Sequence, residues 1–306
     1  MIVNLQGRAG EGSIENGVGM AKTAVVIVNH GTTDLTEAIE GLHQLYKELK
    51  HHLPEEVTLY SAIANDVVLD YVRQDINRKV RTGTDAVSIP VLSQELRQEF
   101  ITSTMSVREA CERAVEDQPE RILIFPTIMI YGPMYDKMLR EVHEATDDKV
   151  HDVRIMPPVL NPDSLESSNR AAALIEKALK IHKNDRYILI GYETDHAMRP
   201  MYHHLREAFL EKGLDGVHVV CLEDREGLSM VAADLRKVQY SGTIVIQPLA
   251  TNTNGHVLEE DSGDAKTVAE MFRRFGFQVK ETHKGLACYP EYRKGLIRNV
   301  MKELKR

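Results

Sequence analysis

Several residues of this chain stand just past apolar runs, where a side chain can do chemistry instead of filling a core. His30 follows Val25, Val26, Ile27 and Val28 and opens the turn His30-Gly31-Thr32. Tyr192 follows Ile188, Leu189 and Ile190 and opens a similar turn that reaches Thr194. Glu223 ends the run Val219, Val220, Cys221, Leu222. His256 closes a polar loop, next to Gly255 and ahead of Glu259, Glu260, Asp261 and Asp264. Met134 stands eight residues after Pro126, as His256 stands eight after Pro248. Imidazole and carboxylate together hold a divalent cation or exchange protons near neutral pH. A carboxylate turned inward at a strand end needs such a partner. The phenol of Tyr192, with a reference pKa of about 10, ligates iron but is a poor base at neutral pH. Met134 is a soft ligand that accepts no proton. His196 follows the Tyr192 turn and reads as a rim residue. A helix-capping loop histidine and an exposed strand-end glutamate are the plainer alternatives for His256 and Glu223. The other ten of the thirteen histidines fall on helices or near strand starts, where a solvated imidazole is the simpler reading.

These positions imply strands to present them. Continuous Val/Ile/Leu runs predict strands over 24–28, 57–63, 121–125, 153–156, 187–190, 217–222 and 243–247, each covered on both faces. Between them, apolar residues at helical spacing predict helices over 35–49, 163–181, 198–211, 229–238, 265–275 and 291–304. Such alternation means an α/β fold with parallel sheets and helical crossovers. Ligands of open parallel sheets bind outside the carboxyl ends of the strands, where the residues above lie.

The two halves also look alike. Each opens with an apolar strand and a turn with threonine two residues after His30 or Tyr192, and each later has a strand ending in proline, Pro126 or Pro248. An internal duplication accounts for this. The expected organisation is a flexible tail over 1–20, an N-terminal α/β domain over 21–160 and a C-terminal α/β domain over 161–306, with the cleft between them. Residues 80–118, with one short apolar run over 86–92 and a charged helical pattern, read as an insertion without an equivalent in the second half. Met20 directly precedes the first clear strand and is a candidate start. The 306 residues are 42% hydrophobic and 27% charged, enough for a real core. A net charge of −8 argues against a nucleic-acid binder. No run approaches the roughly 18 apolar residues of a membrane span. Three cysteines in no metal-ligand spacing exclude a disulfide framework and fit the cytoplasm.

The second half resembles the anaerobic sirohydrochlorin cobaltochelatases, class II chelatases that insert Co²⁺ into a tetrapyrrole during cobalamin synthesis. The resemblance is carried by 188–196, 219–223, 247–256 with Asp261 and Asp264, and 284–291. More loosely it extends to 28–34, 61–65 and 132–137 of the first half. It implies two similar α/β halves around a cleft and a metal site of two histidines and a glutamate. Carried over singly, the glutamate is Glu223 and one histidine is His256. The other family histidine falls on Tyr192, and a further acidic residue falls on Met134. His30 holds the first-half position that corresponds to Tyr192, and other chelatases of this superfamily use a histidine in such a turn.

Two functions follow. As an enzyme, the protein inserts a divalent metal, Co²⁺ or Fe²⁺, into a tetrapyrrole, with His256 and Glu223 holding the metal and His30 as third ligand or proton acceptor. Lys137, Arg199 and Lys266 are candidates by position for the substrate carboxylates. As a non-catalytic carrier, it binds haem or another tetrapyrrole, with Tyr192, Met134, His30 and His256 as candidate axial ligands. Neither reading calls for a membrane or nucleic acid, and a homo-oligomer is compatible with both.

Overall fold

A computed structural model describes residues 3–5, 22–76, 78, 104–161, 164–192, 199–222, 224–253 and 264–306. Glu223, His196, His256 and the apolar run 86–92 lie outside the described residues. The first half runs β1 (Val3–Leu5), β2 (Thr23–Asn29), α1 (Leu35–Glu37), a π-helical turn (Ala38–His43), α2 (Gln44–His52), β3 (Val57–Ile63), α3 (Asp66–Tyr71), β4 (Met105–Ser106), α4 (Val107–Glu116), β5 (Arg121–Pro126), α5 (Pro133–Thr146) and β6 (Asp152–Ile155). The second runs α6 (Leu165–Leu179), β7 (Arg186–Gly191), α7 (Arg199–Glu211), β8 (Val217–Cys221), α8 (Arg225–Lys237), β9 (Thr243–Pro248), α9 (Asp264–Arg274), β10 (Gln278–Glu281) and α10 (Pro290–Glu303).

The strands form two sheets, ordered β1-β6-β5-β2-β3-β4 and β10-β9-β7-β8. All pairs are parallel except β1 with β6. The fold is α/β, with two parallel sheets flanked by helices. Removing the outer strands β1 and β4 leaves β6-β5-β2-β3, which matches β10-β9-β7-β8 strand for strand.

The hydrogen bonds past the strand ends repeat as well. Thr127 N–H donates to Val28 O at 2.8 Å, where Leu249 N–H donates to Ile190 O at 2.7 Å. Ala64 N–H donates to Asn29 O at 2.8 Å, where Leu222 N–H donates to Gly191 O at 2.9 Å. Met156 N–H donates to Ile124 O at 2.9 Å, as Thr282 N–H does to Ile246 O. This register makes His30 the counterpart of Tyr192 and Asn65 the counterpart of Glu223.

Three expectations change. Val3–Leu5 form a strand on the edge of β6, so the first twenty residues are not all a free tail. An edge strand offers a row of unpaired backbone groups, and this segment takes them up. Within 80–118, α4 is no insertion. Like α8, it joins the second strand of its half to the third, and Val107, Ala110, Cys111 and Ala114 on its inner face are fully buried. The extra stretch of the first half therefore precedes α4 and includes α3 and β4. Finally, β10 adds a strand where the sequence shows no apolar run.

Period-two alternation splits each sheet between two apolar layers. Ala24, Val26 and Val28 face the layer with α4 and α5, whereas Val25 and Ile27 face a core that also takes Leu189, Phe209, Tyr292 and Leu296. That second core is shared by both halves. The last helix, α10, packs on α2 of the first half and on α6, which packs on α7.

Candidate functional site

In each half the chain leaves the first strand toward one neighbour and later returns on its other side. The point of reversal lies between β2 and β5 in one sheet and between β7 and β9 in the other. Such switch points leave a crevice at the strand carboxyl ends. His30 stands at the first, and Tyr192 and the loop toward His256 at the second.

The His30 turn is built for close approach. Gly31 has φ of 96°, and a Cβ there would meet Ile63 Cγ2 at 2.6 Å and Val68 Cγ1 at 2.7 Å. Only glycine fits that conformation and space. His30 is half-buried, and its Nδ1 lies 3.4 Å from Gly31 O. Its Nε2 lies 3.4 Å from Nδ2 of Asn65. Asn65 Oδ1 accepts the N–H of Val68 at 3.2 Å as the N-cap of α3, so its NH₂ is the group turned to the ring. The partners thus assign the proton to Nδ1 and the lone pair to Nε2. Burial lowers the His30 pKa below its ordinary value, against the Gly31 hydrogen bond, so the ring is neutral at pH 7. A neutral imidazole with a defined lone pair can take a proton or a metal ion.

The two switch points touch. Thr251 Oγ1 donates to Thr127 O at 2.5 Å, and the Asn252 side-chain amide donates to Gly31 O. Thr127 Oγ1 in turn donates to Asn29 Oδ1 at 2.9 Å. Thr253, the last described residue before His256, bonds to the buried carboxylate of Glu37 through both its N–H and its hydroxyl. The loop after β9 is thereby docked beside the turn after β2.

The other expected residues fare differently. Tyr192 is half-buried against the apolar layer of the second sheet, with its carbonyl accepting from Tyr202 OH at 3.0 Å. Met134, on the first turn of α5, packs against the apolar layer of the first sheet with Tyr131 and Tyr135. Lys137 is already committed: its ammonium pairs with Asp66 at 3.0 Å and Glu141 at 2.5 Å and donates to Ala64 O at 3.0 Å. It is therefore not the free cation that its position predicts. The side chains of Arg199 and Lys266 lie outside the described residues, with Glu223, His196 and His256. Among the described residues no group of three or more His, Cys, Asp or Glu side chains comes together to hold a metal. No helix among them is long and apolar enough to cross a membrane. Sequence reasoning missed Asn65 and Glu37. Asn65 had a signal, since it stands just past β3 in a block that carries the family resemblance.

Two matched sheets with facing switch points define a chelatase fold. The sirohydrochlorin chelatase SirB from Bacillus subtilis subspecies spizizenii, in complex with cobalt, superposes with a TM-score of 0.55 at 11% identity, over 93% of this chain and 96% of that one. SirB from Bacillus subtilis with Fe³⁺ superposes at 0.56 and 12% identity, over 92% and 95%. At such identities the likeness is one of fold. The chain itself matches the cobalt chelatase (CbiK) family over residues 23–304 and belongs to that family. No curated protein sequence matches it.

Proposed function

We propose that the protein inserts a divalent metal ion, Co²⁺ or Fe²⁺, into a sirohydrochlorin-like tetrapyrrole held at the facing switch points. The observation that carries this reading is the half-buried imidazole of His30, with its Nε2 turned to the Asn65 amide, at the strand end where the second-half loop docks. Insertion removes two pyrrole N–H protons, and the incoming ion must be held until the macrocycle takes it. His30 accepts a proton or serves as third ligand, and Glu223 and His256 hold the ion, which is substrate and not resident cofactor. Three cysteines held as thiols, Cys111, Cys221 and Cys288, favour the cytoplasm as the place of reaction.

The test is spectroscopic. Purified protein is mixed with sirohydrochlorin and Co²⁺, and separately with haem, while absorption is followed. Metal insertion that His30→Ala and His256→Ala each abolish supports the reading. A stable haem complex without turnover overturns it in favour of a carrier.

A further inference from the structure

Glu37 is an acidic residue in the shared interior, 3% exposed, at the end of the short helix α1. Its Oε1 accepts the N–H of Thr253 at 2.8 Å and the N–H of Gly285 at 2.6 Å. Its Oε2 accepts the hydroxyls of Thr32 at 2.9 Å and Thr253 at 2.7 Å. The donor assignment is closed. The Thr32 oxygen already accepts the N–H of Asp34 at 3.1 Å, which leaves its own proton for Glu37. Four neutral donors converge on one carboxyl group; burial pushes its pKa above the ordinary carboxylate value against all four bonds, and two of the donors are backbone N–H groups that can only donate to Oε1.

The donors come from three separate segments. Thr32 stands two residues past His30 in the first half. Thr253 stands three before His256 in the second. Gly285 leads into the Leu286–Cys288 turn, and a Cβ there would meet Glu37 Oε1, with Asn252 Cα at 2.5 Å and Thr251 O at 2.6 Å. The carboxylate is thus clasped at a place where no side chain on residue 285 fits. Asn252 to Gly31 runs beside it between the same two turns, and Thr251 to Thr127 ties the 251–253 turn to the end of β5.

Resting on the metal-insertion reading, we propose that Glu37 is a positioning residue that fixes the His30 turn of the first half against the 251–253 turn of the second. The alternative is a carboxylate that holds the fold together and nothing more. The two differ in what a volume-conserving change does. Glu37→Gln keeps size and shape but removes the charge; with its oxygen on the two N–H groups, its NH₂ faces the Thr32 and Thr253 hydroxyls, which must turn from donors to acceptors, so that side of the clasp weakens. If Glu37 positions, kcat falls about 100-fold, as for misplacement of about 1 Å remote from the chemistry, with KM little changed. If it only stabilises, the melting temperature falls while kcat and KM stay at wild-type values wherever the variant is folded.

The experiment measures kcat, KM and melting temperature for wild type, Glu37→Gln, Thr253→Val and the double variant. Glu40→Gln, whose exposed carboxylate pairs with Lys284, is the control and keeps wild-type kcat. The expected result is a kcat loss in both single variants, with a double variant no worse than Glu37→Gln, since both weaken one clasp. Additive losses, or a loss of melting temperature alone, overturn the proposal. Should wild type insert no metal, the function fails first, and the position of His30 is read by NMR of its ¹⁵N-labelled ring. The proposal expects Glu37→Gln, or Thr253→Val if that variant does not fold, to move the His30 ring resonances. Unmoved resonances overturn it.

Discussion

The side-chain amide of Asn65 lies 3.4 Å from Nε2 of His30 and is aimed there by its own cap bond to Val68. In the register of the two halves Asn65 stands where the second half has Glu223. The first half thus pairs an imidazole with a neutral amide, where the sequence of the second half has a phenol and a carboxylate at the corresponding positions. An amide donor favours the neutral ring, whereas a carboxylate favours imidazolium.

Asn65→Asp is expected to move the acid limb of the activity profile. In wild type, burial holds the His30 pKa below its ordinary value, so the ring stays neutral and active as pH falls from 8 through 7. Activity then declines only at lower pH, as the ring gains its proton. Asp keeps the cap of α3 but sets a negative charge beside Nε2, which raises the pKa by about 1–3 units. The limb of kcat/KM against pH then shifts upward by a similar amount. An unmoved limb means that His30 does not titrate in the reaction.

Arg293 ties the last helix to the first half, and its loss is a stability prediction. It is 5% exposed, with one nitrogen 2.8 Å from Glu48 and another donating to Ala287 O at 2.7 Å. Burial raises the Glu48 pKa, yet the hydrogen bonds from Arg293 and Gln44 and the Arg293 charge more than offset this and bring it below the ordinary value. Arg293→Ala takes the charged donor from the Ala287 carbonyl and from Glu48, which keeps only the Gln44 amide, and should cost about 2–3 kcal/mol in urea unfolding. Arg293→Met, which keeps the packing, should cost less. Because the folded pKa of Glu48 is depressed, the stability contributed by the pair is present above its unfolded pKa and lost as pH falls through the folded one. The gap between wild type and Arg293→Met should therefore narrow in acid.

The central strands were legible because β2, β5, β7 and β9 are buried on both faces and must be apolar throughout. The duplication was legible for the same reason, through the matched positions of Pro126 and Pro248. Strand β10 was not, because an edge strand with Gln278 and Lys280 exposed leaves no apolar run. Helix α4 was legible as a charged helical pattern but not as a crossover of the repeat. Its inner residues Val107, Ala110, Cys111 and Ala114 keep helical spacing, but Arg108, Glu109, Glu112 and Arg113 lie between them. Glu37 had no local signal at all. Its partners Thr253 and Gly285 are 216 and 248 residues away, and a hydrogen bond of that span leaves no periodicity. The candidate site was read as a set of strand ends, and what aligns those ends is long-range.

His218 makes the fold sensitive to acid apart from any carboxylate. Burial, with the Arg206 and Arg186 guanidiniums, pushes its imidazole down to about 4, and Asp234 opposes this only in part. The unfolded ring titrates near its ordinary 6.5, so between 6.5 and about 4 the unfolded chain holds the extra proton. Stability is full above that window and falls as pH drops through it, by roughly 3 kcal/mol. His218→Gln removes this term. Wild type should lose more melting temperature than the variant between pH 7 and pH 4.5, and parallel losses would show that His218 titrates as it does unfolded.

The register also predicts an exchange between the halves. His30 and Tyr192 stand one residue past β2 and β7, and the strands before them share the same bonds to Thr127 and Leu249. The backbone at the second switch point therefore presents residue 192 as the first presents residue 30. Tyr192 brings a phenol there, with no lone pair basic enough for a pyrrole proton at neutral pH. His30→Ala should lower metal insertion by about 100- to 10,000-fold, the usual worth of a positioned acid–base group. Adding Tyr192→His to that variant restores an imidazole at the matched position, beside Glu223 in sequence register, and should recover part of the loss. The measurement is the initial rate of Co²⁺ insertion by His30→Ala with and without Tyr192→His, both checked for fold by circular dichroism. No recovery would mean that the two switch points are alike in backbone and not in chemistry, with proton transfer confined to the first.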